Sequence, residues 1–358
     1  MPKMNGSEAR KRVTIKDVAE RAGVSISSVS RVLNNYPGIE AKTRSRIEEA
    51  FAELDYPQAQ AKKRHKGLGT RLIYFVLANR SLSIPFHSKV LQAVEQECSR
   101  HGDVVLFRTF RHLPESDSDD LSVDELLAPQ SSDKSGIYPD GIILTGPTHP
   151  NFLAALQKRK IPVVLLGNNY TGDDLQADAV YFDAYQGAYD ATRYLVELGH
   201  QNILFIGAPN VKWFSSIYDG YLKALNESGL SPIAQTKTLS DNFYSNGYLS
   251  VELVFERPND ITAIFAGYDE TALGAWKALN DRSISVPREI SLIGFDDEDY
   301  AAFTAPPLTT VRIDVDAVGR ELISQLYKRF EDPERASVGL RLRTTLIKRG
   351  TCRPVESP

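Results

Sequence analysis

Residues 17–35 read "DVAERAGVSISSVSRVLNN", and their spacing decides how the head of this chain folds. Ile15, Val18, Ala19 and Ala22 recur at intervals of three and four, so they share one face of a helix. Thr14 stands at the N-cap position with Asp17 three residues on, an acidic variant of the capping box. Gly23 supplies the positive φ that commonly ends a helix. Ser25 can cap a second helix, whose Val29, Val32 and Leu33 point back at the first. That leaves Ile26, Ser27, Ser30, Arg31 and Asn34 on or near the outer face. Small hydroxyls, an amide and an arginine on such a face suit phosphates and base edges. The pattern is a helix-turn-helix, although an ordinary helical hairpin with a solvated serine face has the same spacing.

A third helix is predicted at about 42–54, with Ile47, Ala50, Phe51 and Leu54 on one face. Asp55-Tyr56-Pro57 breaks it, and "PQAQAKKRHKGLG" (57–69) reads as a hinge. Charge separates head from body. Residues 1–71 hold 15 Lys and Arg against 8 Asp and Glu, a formal +7, and the remainder carries −11. A basic head on an acidic body is expected when only the head meets a polyanion.

Beyond the hinge, short apolar runs alternate with helical patterns: "LIYFVL" (72–77), "VVLF" (104–107), "GIILTG" (141–146), "PVVLLG" (162–167), "ILFIG" (203–207), "AIFAG" (263–267) and "SLIGF" (291–295). Helices are predicted at 87–101, 150–159, 185–198, 217–228, 269–280 and 315–330. Continuous apolar strands separated by helices indicate α/β architecture with parallel sheets. Ligands of such sheets bind beyond the carboxyl ends of the strands. Residues 111–136, polar and acidic, read as a surface loop with at most a short helix around 119–128.

Cys98 and Cys352, far apart and without metal-ligand spacing, fit a reducing cytoplasm. No apolar run approaches the ~20 residues of a membrane span, and "MPKMNGSEARKR" is no secretory signal. The expected location is cytoplasmic. A Rossmann-like enzyme is the alternative α/β reading, but no G-x-G-x-x-G follows the first strand, and neither G-x-S-x-G, a P-loop nor H-E-x-x-H occurs. The chain is therefore read as a non-enzyme, with no cofactor and no metal expected.

"TIKDVAERAGVSISSVSRVLNN" (14–35) resembles the head of the lactose-repressor/galactose-repressor (LacI/GalR) family of bacterial transcription regulators. The likeness continues in order through "TRSRIEEAFAELDY", "PDGIILTG", "IPVVLLG", "LGHQNILFIG", "GYLKAL", "AIFAGYDETALGAWKAL", "VPREISLIGFDD", "PPLTTV" and "LIKRGT". The resemblance implies a small all-α helix-turn-helix head (1–56), a hinge (57–69) and a periplasmic-binding-protein-like body (70–358). The body would have two lobes, one at about 70–178 and 312–337, the other at about 179–311 and 338–352. It implies a sequence-specific regulator, a repressor of carbohydrate-utilisation genes, controlled by a sugar or glycoside effector between the lobes. A solute-binding protein would account for the lobes but not for the head.

By similarity, Ile26 and Ser27 read base edges, with Arg31 a further base or phosphate contact, while Thr14, Ser25, Ser28 and Asn34 suit phosphates. Ala61, Lys62 and Arg64 fall at the family's minor-groove hinge. There Arg64 replaces a wedging leucine, so the hinge should bend DNA less. For the effector the resemblance points to Phe86, His87, Ile217, Asn242, Tyr268, Asp269 and Asp296. Two positions depart from the family: Ile217 stands where an arginine commonly clasps the ligand, and Tyr268 where Asn is common. Trp213, Phe214, Phe243 and Tyr244 could add aromatic faces. The chain ends soon after "KRGTCRPVESP" (348–358) without a heptad coil, so a homodimer on a near-palindromic operator is expected.

Overall fold

The computed structural model describes residues 14–33, 39–54, 70–80, 82, 84–111, 123, 125–127, 138–172, 174–208, 212–240 and 242–355. The expectations for Asn34, for the 57–69 hinge with Ala61, Lys62 and Arg64, and for the Leu33 and Trp213 side chains lie outside this description.

Three helices make the head: α1 (Ile15–Ala22), α2 (Ile26–Leu33) and α3 (Ala41–Glu53). The capping box forms, with Asp17 Oδ2 accepting the Thr14 N–H at 2.7 Å and Thr14 Oγ1 accepting the Asp17 N–H at 3.4 Å. Gly23 has φ +64° and ends α1, and Arg46 of α3 donates to the freed Ala22 carbonyl at 2.6 Å. Eight-residue helices are marginal alone. These hold because Val18, Ala19, Ala22, Val29, Val32, Ile47, Ala50 and Phe51 close a small core.

The body runs β1 (Leu72–Ala78), α4 (Pro85–Arg100), β2 (Val104–Phe110), β3 (Gly141–Thr145), α5 (Pro150–Lys158), β4 (Val163–Leu166) and β5 (Asp178–Phe182). It continues with α6 (Ala184–Glu197), β6 (Ile203–Ile206), α7 (Lys212–Glu227), β7 (Ile233–Gln235), α8 (Phe243–Val254), β8 (Ala263–Ala266), α9 (Asp269–Asp281), β9 (Ser291–Asp296) and β10 (Thr309–Arg312). It closes with α10 (Val315–Glu331), β11 (Gly339–Leu342) and β12 (Thr345–Ile347). Strands β1, β3, β4, β6 and β8 are buried along their whole length, as parallel strands covered on both faces must be.

There are two six-stranded sheets, ordered β11-β5-β4-β3-β1-β2 and β12-β10-β9-β8-β6-β7. Within them only β12 pairs antiparallel, to β10. Both sheets reverse their strand order at one place, between β1 and β3 and between β6 and β8. Crevices outside strand carboxyl ends at such switch points are where α/β sheets take ligands.

The chain passes between the lobes after Phe182, after Arg312 and after Leu342. The boundaries expected at 178/179 and 337/338 therefore come a few residues early: the first cuts through β5, and the second assigns the whole of β11 to the wrong lobe. These strands pair from Gly339 opposite Ala179 to Leu342 opposite Phe182. Asp178 anchors them, accepting the Val338 N–H at 2.9 Å and pairing with Arg329 and Arg335. One apolar cluster joins the lobes, running from Phe75, Val90 and Phe182 to Phe205, Phe265 and Phe295. In the 111–136 segment, residues 123 and 125–127 are helical, and Val123, Leu126 and Leu127 are buried in the first lobe.

Candidate functional site

Two surfaces stand out, one on the head and one between the lobes. On α2, Val29 and Val32 face inward while Ser25, Ile26, Ser27 and Arg31 are exposed. Ser25 Oγ accepts the Ser28 N–H at 3.1 Å and so caps the helix. Its hydroxyl also lies 2.7 Å from Ser27 Oγ and 2.9 Å from Ser28 Oγ. Ile26, at 49 % exposure, presents its apolar side chain to water at the leading end of the helix. Of the expected outer face, Ile26, Ser27 and Arg31 are exposed, Ser30 is half-buried, and Ser25 is chiefly a cap.

Between the lobes lies a cleft lined by Arg80, Ile84, Phe86, His87, Asn169, Phe182, Ile217, Tyr268, Phe295 and Asp296. Arg80 follows β1, Asn169 follows β4, Tyr268 follows β8, and Phe182 and Asp296 end β5 and β9. These are all carboxyl ends, as the switch-point rule requires. The cleft has about 470 Å³ of free volume including its solvent-facing mouth. Its walls are close, so a ligand is gripped from several sides.

Of the residues expected there, Phe86, His87, Ile217, Tyr268 and Asp296 meet in the cleft. Asn242 and Asp269 do not line it. Asn242 caps α8 by accepting the Ser245 N–H at 2.8 Å. Asp269 lies wholly buried behind β9, accepting the Glu298 N–H at 2.7 Å and the Thr310 hydroxyl at 2.5 Å. Phe214 and Phe243 back Tyr268, with ring centroids 4.8 and 4.3 Å away, rather than facing the cleft; Tyr244 is exposed. Arg80, Ile84, Asn169, Phe182 and Phe295 are additions. For Arg80 and Asn169 the signal was their place just past a strand, not their residue type. The arginine absent at 217 has a counterpart in Arg80, which enters from the other lobe.

The polar groups are poorly matched within the protein. His87 is buried, and its Nδ1 has no hydrogen-bond partner among the described residues. Burial, with the Arg80 cation adding to it, holds this imidazole down at about 4, so it is neutral at pH 7. Asp296 is enclosed by protein yet opens onto the cleft, and its backbone takes φ 114°. Burial first, then the neighbouring Asp269 and Glu298 carboxylates, raise its pKa well above the ordinary value; Lys89 opposes them. The Asp269 carboxyl is likewise pushed up to about 7 by burial, against the hydrogen bonds from Thr310 and Glu298. Asp297, by contrast, is held by Arg312 and Arg349, each at 2.6 Å. Among the described residues the Asp296 carboxyl has no hydrogen-bond donor, and a buried acceptor without donors is costly. Among the described residues no group of three or more His, Cys, Asp or Glu could hold a metal ion. No described helix is long and apolar enough to cross a membrane.

Residues 14–58 match the model for bacterial regulatory proteins of the lacI family, and residues 192–352 match that for a periplasmic binding protein-like domain. The HTH-type transcriptional repressor PurR of Erwinia tasmaniensis is 30% identical over 343 residues, 94% of this chain and 96% of that protein. Among solved structures, the lac repressor dimer bound to operator and the anti-inducer ONPF is 26% identical, with a TM-score of 0.68, covering 96% of this chain and 100% of the other. A complex of the transcriptional regulator CelR with cellobiose is 25% identical, with a TM-score of 0.66 and coverage of 95% and 100%.

Proposed function

The chain belongs to the lacI family of bacterial regulatory proteins, and from that premise we propose that it is a DNA-binding transcriptional repressor governed by a polyhydroxylated effector, a sugar or glycoside, held between its lobes. The observation that carries the effector half is the Asp296 carboxyl, open to the cleft and without a hydrogen-bond donor among the described residues, opposite the unpartnered His87 Nδ1 and the Asn169 amide. The Asp296 carboxyl keeps acceptor capacity in either protonation state, and a neutral imidazole and an amide can each donate and accept. Ligand hydroxyls satisfy all three, and the rings of Phe86, Phe182 and Tyr268 suit the apolar faces of a sugar. The solved CelR–cellobiose complex supports this ligand class.

On the DNA side, Ile26 and Ser27 meet base edges and Arg31 a base or phosphate. As with the lac repressor dimer on its operator, two copies act together. They place their α2 helices in successive major grooves of a near-palindromic site, with half-sites about one helical turn apart. Chromosomal DNA as target places the protein in the cytoplasm, and its action is binding rather than catalysis. Effector changes how the heads are presented, and linkage requires that operator alter effector affinity by the same factor.

The DNA half is tested by gel shift and footprinting on palindromic fragments flanking the gene. A footprint of two half-sites, weakened steeply by salt, is expected, and Arg31→Ala should cost about 1–3 kcal/mol of specific binding. Equal affinity for the operator and for a scrambled duplex refutes it.

A further inference from the structure

Lys89 stands on α4 two residues past His87, and Glu298 lies two residues past Asp296. The Lys89 ammonium sits 2.8 Å from Glu298 Oε2 and 2.9 Å from Asp299 Oδ1. These ion pairs cross the cleft, joining a helix of the first lobe to the turn of the second that presents Asp296. The turn is not free to follow Lys89 by itself. Its Glu298 N–H is fixed by Asp269, and Asp297 is fixed by Arg312 and Arg349. Whatever Lys89 pulls on, it pulls through the lobe.

The charge balance makes this more than a surface pair. The Glu298 side chain is only 8% exposed, and Asp269 and Asp296 lie beside it, so three carboxylates share one protected region. Lys89 is the cation that reaches them from across the cleft. Exposed ion pairs contribute little, but removing one partner of a nearly buried pair leaves an uncompensated charge and costs far more.

The geometry points to Lys89 as a positioning residue of the effector site: its ion pair with Glu298 and Asp299 draws the Asp296 turn toward α4 and so sets the gap between His87 and Asp296 that a ligand bridges. This rests on reading the cleft as the effector site. Lobe closure is then partly electrostatic and present before ligand arrives, with ligand hydroxyls completing it.

The test uses the full chain and the variants Lys89→Gln, Lys89→Arg and Asp299→Asn. Small-angle X-ray scattering without ligand is recorded from low salt to about 1 M, where the Debye length falls to about 3 Å. Wild type and Lys89→Arg should be more compact than Lys89→Gln at low salt and should converge on it at high salt. Asp299→Asn, changed at the exposed end of the pair, should fall between. Calorimetric titration with cellobiose and with ribose should show binding about tenfold weaker in Lys89→Gln and restored in Lys89→Arg. Identical scattering of wild type and Lys89→Gln at low salt overturns the assignment. Should neither sugar bind wild type, the choice of ligand fails, and the scattering still decides Lys89.

Discussion

To the cleft the first lobe sends Arg80, His87 and Asn169; the second sends Asp296, with Ile217, Tyr268 and Phe295 around it. Both lobes follow one strand order, and both deliver these side chains from the carboxyl ends of matching strands. Their charges differ. One lobe offers a cation, an imidazole kept neutral and an amide. The other offers a carboxylate crowded by two more. Topology therefore sets where side chains arrive, while the sequence sets what sign they carry. Closing the cleft brings the donors of one lobe, or those of a ligand, to the acceptor that the other lobe cannot satisfy alone.

If the crowding around Asp296 is built in, disturbing it should cost far more than the same change at an open edge strand. At Gly294 of β9 an added Cβ would stand 2.1 Å from Asp269 Oδ1 and 3.2 Å from Asp269 Cα. At Gly339 of β11 the nearest atom is 3.5 Å away, an ordinary contact. Gly294→Ala should lose about 1–3 kcal/mol in urea unfolding, as overpacked cores do, while Gly339→Ala stays within about 0.5 kcal/mol. Equal losses would dissolve the contrast between the crowded central strand β9 and the open edge strand β11.

A smaller effect sharpens it. The His87 pKa falls from 6.5 to about 4 on folding, so between those values the unfolded chain binds more protons and stability drops as the solution is acidified. The Asp269 pKa rises from 3.8 to about 7, so the folded chain holds the extra proton and stability drops as pH increases through that window. The two windows overlap, so in wild-type unfolding free energies the contributions offset between about pH 4 and pH 6.5, and the variants separate them. His87→Phe should remove the part of stability that rises with pH and Asp269→Asn the part that falls with pH, so their difference curves against wild type slope in opposite directions. Difference curves of the same sign would contradict the two environments.

The head was legible because its signals are local. Thr14, Asp17, Gly23 and Ser25 act within a turn of where they stand, and the buried positions repeat at helical spacing. The strands were legible where an apolar run marks them, as "VVLF" marks the partly exposed β2. By contrast β5 ("DAVYF") and β10 ("TTVR"), mostly buried but interrupted by polar residues, escaped. β11 escaped because "GLRL" is a partly exposed edge strand with no apolar run to mark it. α8 escaped for the opposite reason: its buried face holds Asn246, Gly247, Ser250 and Val251, while Tyr244, Leu249 and Leu253 are exposed. Such a helix lacks the usual apolar periodicity. The cleft was half legible. Family spacing located His87 and Asp296, but Arg80 and Asn169 become neighbours of these only through strand order. Asp269 sits beside a motif position and was expected at the ligand; the space that Gly294 leaves takes its carboxylate into the wall instead.

The most direct test of the account is thermal unfolding of the full chain and of Asp296→Ala against a panel of mono- and disaccharides. A ligand at 100 times its Kd stabilises by about 2.7 kcal/mol. At least one sugar should raise the wild-type midpoint and leave Asp296→Ala unmoved. A sugar that stabilises both proteins equally, or a panel that stabilises neither, would contradict the claim that this carboxylate receives the effector's hydroxyls.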